Sequence, residues 1–295
     1  MKVGIIGKPV SGKTTLFQAL SRGQAQAAHT KEPVHCVVSV PDPRFDWFVK
    51  HYNPKKIHPA TIDFVDDIVR LGDDRMKGYS DEAMGELRTA DAMLLVLDAF
   101  ESSVPDPEAV RQEAVQFTEE LGLRDLMVLE NRLERIEKQL HTQNPPQALH
   151  VEKQAVQKMK QGLEGGQRYD QVDLAESEKK ALSGFQLLSA KPLLVAINVG
   201  EDVIAEADTL YQTTIAHLGA MGVPAFCLSA EIEKEVAELD AAEQQAFLQD
   251  YGITEPVADK VISKIYSSCD LMTFFTVSEK EVHAWPLRKG STALE

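Results

Sequence analysis

Cysteine is scarce in this chain. Cys36, Cys227 and Cys269 stand far apart, odd in number and without metal-ligand spacing. That argues against a disulfide framework or a cysteine-built metal site and leaves buried thiols of a reducing compartment. Long apolar runs are also missing, since no segment approaches the ~18 consecutive apolar residues of a membrane span. In MKVGII the lysine and glycine interrupt the N-terminal apolar stretch at once, so no secretion signal is read there. Positive charge is in the minority, with 31 Lys and Arg against 46 Asp and Glu and a formal net charge of −15. Such a balance argues against a surface broadly adapted to polyanions, though a local basic patch remains compatible with it. These absences together point to the cytoplasm. What is present is ordinary for a folded protein: 295 residues, 43% hydrophobic and 26% charged, enough for one large core or two smaller ones.

The most informative stretch is GKPVSGKTT, Gly7 to Thr15. Gly7, Gly12, Lys13 and Thr14 satisfy G-x-x-x-x-G-K-[ST]. Glycines allow a tight loop to turn backbone N–H groups toward phosphate oxygens with no Cβ in the way. In such a loop Pro9, Val10 and Ser11 form the cradle, Lys13 reaches the outer phosphates, and Thr14 offers its hydroxyl to Mg²⁺ with Thr15 beside it. The helix expected over about 13–21 aims its positive end at the anion. KVGII before the loop reads as a buried strand, the context the motif requires.

Strand-like runs recur at 2–6, 34–40, 61–65, 92–98, 192–198 and 223–228, with helical patterns between most of them. Alternation of this kind predicts an α/β fold with a mainly parallel sheet, in which ligands gather at strand carboxyl ends. Those ends carry Gly7, Asp66, Asn198 and Ser229. The order is that of a P-loop GTPase-type domain: phosphate loop, Mg²⁺ carboxylate, base-reading Asn, Ser-Ala turn. Asp66 standing alone would read as a cap or turn residue; in this series the metal role is favoured.

The interval from Asp66 to Asn198 is too long for two βα units of ~30 residues each. The surplus lies at about 118–186. Leu126, Leu129, Leu133, Ile136 and Leu140 step by three and four, a heptad seam. HTQNPPQ breaks the helix, a second amphipathic run follows with Val151, Ala155, Met159 and Leu163, and Gly165-Gly166 ends it. Two antiparallel helices inserted in a nucleotide domain make an arm, expected to bind a partner.

Several stretches resemble the YchF-type, Obg-like ATPase family of P-loop proteins, nearly end to end. TKEPVHCVVSVPDPRFD (30–46) is similar to that family's switch segment, and LGLRDLMVLENRLERIEK (121–138) to the first helix of its coiled-coil arm. AELDAAEQQAFLQDYGITEP (237–256) resembles the segment before its last helix, and FFTVSEKEVHAW (274–285) the entry to its TGS domain. The resemblance implies a cytoplasmic, nucleotide-hydrolysing switch with a ribosome-linked role. It adds Thr30 to Thr14 and Asp66 as a metal ligand. The expected architecture is a P-loop NTPase G domain at 1–117 and 187–269, a helical coiled-coil insertion at 118–186, and a TGS-like segment at 270–295.

Guanine is normally read by N-K-x-D, whose Asp accepts from the guanine N1–H and 2-amino group. Here the element is Asn198-Val199-Gly200-Glu201. The Lys is replaced and the acid is one methylene longer. Adenine lacks the donor pair, and the family is similar at this element and prefers ATP, so ATP is expected over GTP. Ser229, Ala230 and Glu231 are expected to close over the base.

Departures from the family pattern fall on hydrolysis. Where D-x-x-G is expected, the chain has Asp66-Asp67-Ile68-Val69, and a β-branched valine resists the backbone freedom of glycine. A histidine implicated in hydrolysis aligns with Leu95, and Ser11 stands where the family is hydrophobic. Asp67, Asp73 and Asp74 read as solvated loop acids, so no general base is assigned. At the C-terminus 272–277 and 281–287 read as two strands, marginal alone, and 270–295 is expected to be an incomplete remnant of a TGS domain. Two readings stay open: a slow ATPase cycling as a switch, and a nucleotide-gated binding module that does not hydrolyse. A small-molecule kinase is a distant third, since no arginine lid is recognisable and Asn198 with Ser229 would go unexplained.

Overall fold

The computed structural model describes residues 1–21, 34–66, 85, 87–100, 104–141, 146–251, 253 and 256–292. Among them the contacts divide the chain into two compact units. One comprises Met1–Glu86, Ala90–Arg111 and Pro192–Glu295, the other Leu87–Thr89 and Gln112–Lys191.

The first unit is organised by a six-stranded sheet. Its strands are β1 (Lys2–Ile6), β2 (Val34–Ser39), β4 (Thr61–Asp66), β5 (Ala92–Ala99), β6 (Leu193–Val199) and β7 (Ala225–Leu228), in the order β2-β4-β1-β5-β6-β7. All pairings are parallel except β2 with β4. The central strands read as continuous apolar runs because a parallel sheet is covered on both faces; every residue of β6 is buried. One face is covered by α1 (Lys13–Leu20), α8 (Ala230–Glu238) and α10 (Val257–Ser268). Leu16, Phe17 and Leu20 of α1 and Val261, Ile262 and Ile265 of α10 pack there on Val3, Ile5, Leu94 and Val96. The helix α1 stops at Leu20, with Ser21 as its C-cap.

The unit also holds α2 (Pro43–Tyr52), α6 (Ile204–Leu210), α7 (Gln212–Ala220) and α9 (Ala241–Asp250). A second sheet differs from the two-stranded hairpin expected at the C-terminus. β8 (Leu271–Val277) and β9 (Glu281–Arg288) pair antiparallel, and β3 (Lys56–His58) joins β9 in parallel. β3 is only three residues long between Pro54 and Pro59, too short for a period-two pattern to be recognised. The hairpin acquires a core because Val282 and Ala284 pack on Phe45 and Ala60, with Phe48 and Phe275 beside them.

The second unit is helical. α3 (Pro107–Leu140), whose first turns belong to the sheet unit, continues into it, followed by α4 (Gln147–Glu164) and α5 (Glu176–Leu182). Of the anticipated seam, Leu129 and Ile136 are fully buried, and Leu133 and Leu140 pack against the same cluster as Ala155, Met159 and Leu163. Pairs between the two long helices fix their antiparallel register. Arg132 donates from Nε and Nη2 to the two carboxylate oxygens of Glu152 at 2.6 and 2.9 Å, and Lys160 pairs with Glu130 at 2.9 Å. No helix among the described residues is long and apolar enough to cross a membrane.

Candidate functional site

The site is built at the carboxyl edge of the large sheet. β1 runs directly into the loop 7–12, and two glycines there are required by space. A Cβ on Gly7 would collide with the Val96 carbonyl oxygen and stand 2.8 Å from Ser11 Oγ. Gly12 has φ 87°, and a Cβ there would run into the Asn198 amide. Between them Val10 is held at φ 69° with its side chain exposed, a conformation that β-branched residues avoid. Pro9 lies on the same loop. Ser11 is buried, and its hydroxyl has no hydrogen-bond partner among the described residues. Lys13 Nζ donates to the Lys8 carbonyl at 2.6 Å, spanning the loop.

Thr14 and Asp66 meet. The Thr14 hydroxyl stands 3.0 Å from Asp66 Oδ2, and Asp66 is buried at the end of β4. No cluster of three or more His, Cys, Asp or Glu suited to a metal occurs among the described residues. A hydroxyl beside a buried carboxylate fits Mg²⁺ nonetheless, because that ion takes oxygen ligands, keeps several waters and is bound through one or two protein groups plus phosphate oxygens.

Asn198, at the end of β6 and buried, joins two loops. Its Nδ2 donates to the Ser11 carbonyl at 3.0 Å, and its Oδ1 accepts from the Ala230 N–H at 2.9 Å. Sequence reasoning gives Asn198 to the base; the structure also makes it a strut between the phosphate loop and the start of α8. Behind that strut opens a cavity of about 480 Å³. Gly12 and Thr15 line it, with Asn198 and Val199 at the end of β6, Glu201 just after it, and Ser229, Ala230 and Glu231 after β7. The sheet thus brings together every expected site residue that is described. Thr30 lies outside the described residues, as do Asp67, Ile68 and Val69 of the altered D-x-x-G segment and Asp73 and Asp74 downstream of it.

Two further residues line the cavity without a motif to announce them, Phe100 and Asp202. Phe100 follows the end of β5, and its N–H donates to Asp98 Oδ1 at 3.0 Å. Its signal was positional: β5 also ends on the ligand edge of the sheet. Leu95 is 1% exposed in mid-strand, in register with Ile6 and Val195. Next to the site, burial pushes the Cys227 thiol up to about 12, so it stays protonated and unreactive. Glu233, one turn into α8, is buried, accepts from the Val257 N–H at 2.8 Å and has its pKa raised by burial to about 7.

A G-x-x-x-x-G-K-T loop between the first strand and helix of a mainly parallel sheet defines the P-loop α/β class. Comparison with known proteins narrows it. No family model matches the chain. It is 32% identical over 307 residues to the ribosome-binding ATPase YchF of Bacillus subtilis, covering 100% of this chain and 83% of that protein. Identity to the ribosome-binding ATPase YchF of Pasteurella multocida is 34% over 304 residues, with coverage of 99% and 82%. Identity to Obg-like ATPase 1 of Caenorhabditis elegans is 29% over 310 residues, with coverage of 99% and 77%. Among solved structures it is similar to the Schizosaccharomyces pombe YchF GTPase, with TM-score 0.82, 25% identity, and coverage of 99% of this chain and 82% of that one. The chain belongs to the YchF family of Obg-like ATPases.

Proposed function

We propose that this chain binds a purine nucleoside triphosphate with Mg²⁺, ATP in preference to GTP, and hydrolyses it slowly as a cytoplasmic switch that engages the ribosome. The observation that carries the binding is the Asn198 strut. One buried amide fixes the phosphate loop and the wall of the base cavity to each other, so both halves of a nucleotide site are held in advance, which lowers the ordering cost of binding. Lys13 faces the β- and γ-phosphates. Thr14 and Asp66, together with Thr30 as the family resemblance implies, would hold Mg²⁺, which would supply charge neutralisation to the phosphates. Phe100, 38% exposed at the cavity, offers a ring face to the purine. The helical insertion, 118–186, is the arm that meets the partner.

Names among the relatives divide over the nucleotide, ATPase for the bacterial and nematode proteins and GTPase for the yeast structure. Val199 and Glu201 in place of the guanine-reading Lys and Asp support ATP. The second reading, binding without turnover, is favoured by Leu95, an aliphatic side chain buried in the sheet where the family resemblance expects a histidine.

Titration calorimetry with ATP and GTP, with and without Mg²⁺, tests the binding. Lys13→Ala removes a charge-assisted contact and is expected to cost on the order of 2–4 kcal/mol; equal affinity in the variant would overturn the phosphate-loop assignment. Phosphate release at saturating Mg-ATP separates the two readings, with release above the Lys13→Ala background favouring the switch. Cosedimentation with ribosomes in each nucleotide state tests the partner.

A further inference from the structure

We infer that Asp202, rather than Glu201, is the residue that determines base specificity in the cavity, by accepting a hydrogen bond from the 6-amino group of an adenine nucleotide. The inference rests on the proposed reading of the cavity as a base site and adds which carboxylate reads the base and at which ring position.

Three carboxylates rim the cavity: Glu201, Asp202 and Glu231. They are not equivalent. Glu231 is engaged by Lys234 on the next turn of α8, at 3.5 Å. Glu201 and Asp202 have neither a hydrogen bond nor an ion pair among the described residues. Motif alignment selects Glu201, because it stands where the guanine-reading acid would be. The packing selects Asp202. Its Oδ1 lies 2.7 Å from the point where a Cβ on Gly200 would stand, and the same point is 4.0 Å from the Phe100 Cβ. The carboxylate is therefore folded back over the bare backbone of Gly200, which lines the cavity with it. A Cβ at position 200 would press on that carboxylate and make it shift.

A carboxylate is acceptor-only when ionised. Opposite position 6 of a purine it accepts from the amino group of adenine, whereas it faces the lone pairs of O6 in guanine or hypoxanthine. Discrimination by a polar group that must be matched is far stronger than discrimination by size. The position read can be told from the panel of bases. If position 6 is read, ATP and 2,6-diaminopurine triphosphate bind alike while ITP and GTP bind weakly. If position 2 is read, GTP and the diaminopurine nucleotide bind while ATP and ITP do not.

The experiment is equilibrium binding of Mg²⁺ complexes of these four nucleotides to the full chain and to Asp202→Asn, Glu201→Gln and Gly200→Ala. The wild type is expected to prefer ATP over ITP at least tenfold. Asp202→Asn is expected to lose most of that ratio and Glu201→Gln to change it less than twofold. Gly200→Ala, which contests the space of the carboxylate, should reduce the ratio as Asp202→Asn does, and the double variant should fall no further. Loss of the ratio in Glu201→Gln with its retention in Asp202→Asn overturns the inference while leaving the base site intact. A wild type with the position-2 pattern does the same. A wild type that binds none of the four overturns the base site itself, and the inference with it.

Discussion

Val10 is the residue whose conformation the sequence conceals. The G-x-x-x-x-G-K-T spacing makes Gly7 and Gly12 legible, since the motif demands room at both and the structure shows a carbonyl and an amide filling it. Nothing in the spacing says that the valine between them sits at φ 69°. A non-glycine residue held there costs ~1–3 kcal/mol. Glycine would relieve that strain at an unfolded-state entropy cost of ~0.5–1 kcal/mol, so Val10→Gly should stabilise the ligand-free protein by about 1 kcal/mol. Urea unfolding midpoints of the two proteins check this, and a variant less stable than wild type would mean that the loop sits in a relaxed conformation. Phe100 was illegible for a different reason: a single aromatic after a buried strand has no pattern, and only the sheet order shows that its strand ends on the ligand edge.

At the scale of elements, two buried carboxylates hold helices in place. Glu233 ties α8 to the first turn of α10 by accepting from the Val257 N–H. Burial raises its pKa to about 7; Asp259 adds to the rise, and Lys260 and the Val257 hydrogen bond oppose it. The folded state therefore holds the Glu233 proton more tightly than the unfolded chain, whose reference value is 4.5. The corresponding stability is full below about pH 4.5 and is lost as pH rises through about 7, a change of ~3 kcal/mol at ~1.4 kcal/mol per pH unit. Glu233→Gln keeps an acceptor for Val257 and removes the titration. Its stability relative to wild type should rise between pH 5.5 and pH 8, read from paired urea curves; a pH-independent difference would place the titration elsewhere.

Asp125 does comparable work in the helical unit. Fully buried, it receives Arg88 Nη1 at 3.0 Å and the backbone N–H groups of Leu188 and Ser189 at 3.0 and 2.7 Å. Replacement by alanine removes the counter-charge of a largely buried guanidinium, which keeps only the Gln186 carbonyl at 3.1 Å, and strands two amides, and should destabilise this unit by about 3–5 kcal/mol, with Asp125→Asn losing less. Thermal unfolding followed by circular dichroism checks the order of the three proteins. The leucine seam was readable because apolar side chains repeat every three and four residues. An aspartate on the same helix reads as part of a solvated face until its partners, far away in sequence, are in place. β3 escaped for want of length: three residues between prolines carry no period.

For the whole molecule, the two compact units have separate cores, and the site residues all belong to the sheet unit. A ligand that binds only the native site stabilises by RT ln(1 + [L]/Kd), about 2.7 kcal/mol at a hundredfold excess over Kd. Mg-ATP should therefore raise the melting temperature of the sheet unit and leave the transition of the helical unit in place. Differential scanning calorimetry with and without nucleotide reads this directly, and a single transition moving as one would show that the units unfold together. The broad α/β plan was legible because buried parallel strands announce themselves as apolar runs, whereas the pairing partners that complete the small sheet were not.

The Asn198 strut also sets a timetable. Ser11 and Asn198 are separated by 187 residues, and Ala230 is made later still. Synthesis at ~5–20 residues per second puts roughly 10–40 s between the appearance of the phosphate loop and that of the amide that steadies it. For roughly the later half of that interval, about 5–19 s, β5 waits with its outer edge open, because its neighbour β6 follows the whole helical insertion. An unpaired apolar edge is a template for wrong partners. The growing chain thus carries the complete phosphate-loop motif long before it can hold a nucleotide, and is most exposed to misassembly while its helical insertion is being made.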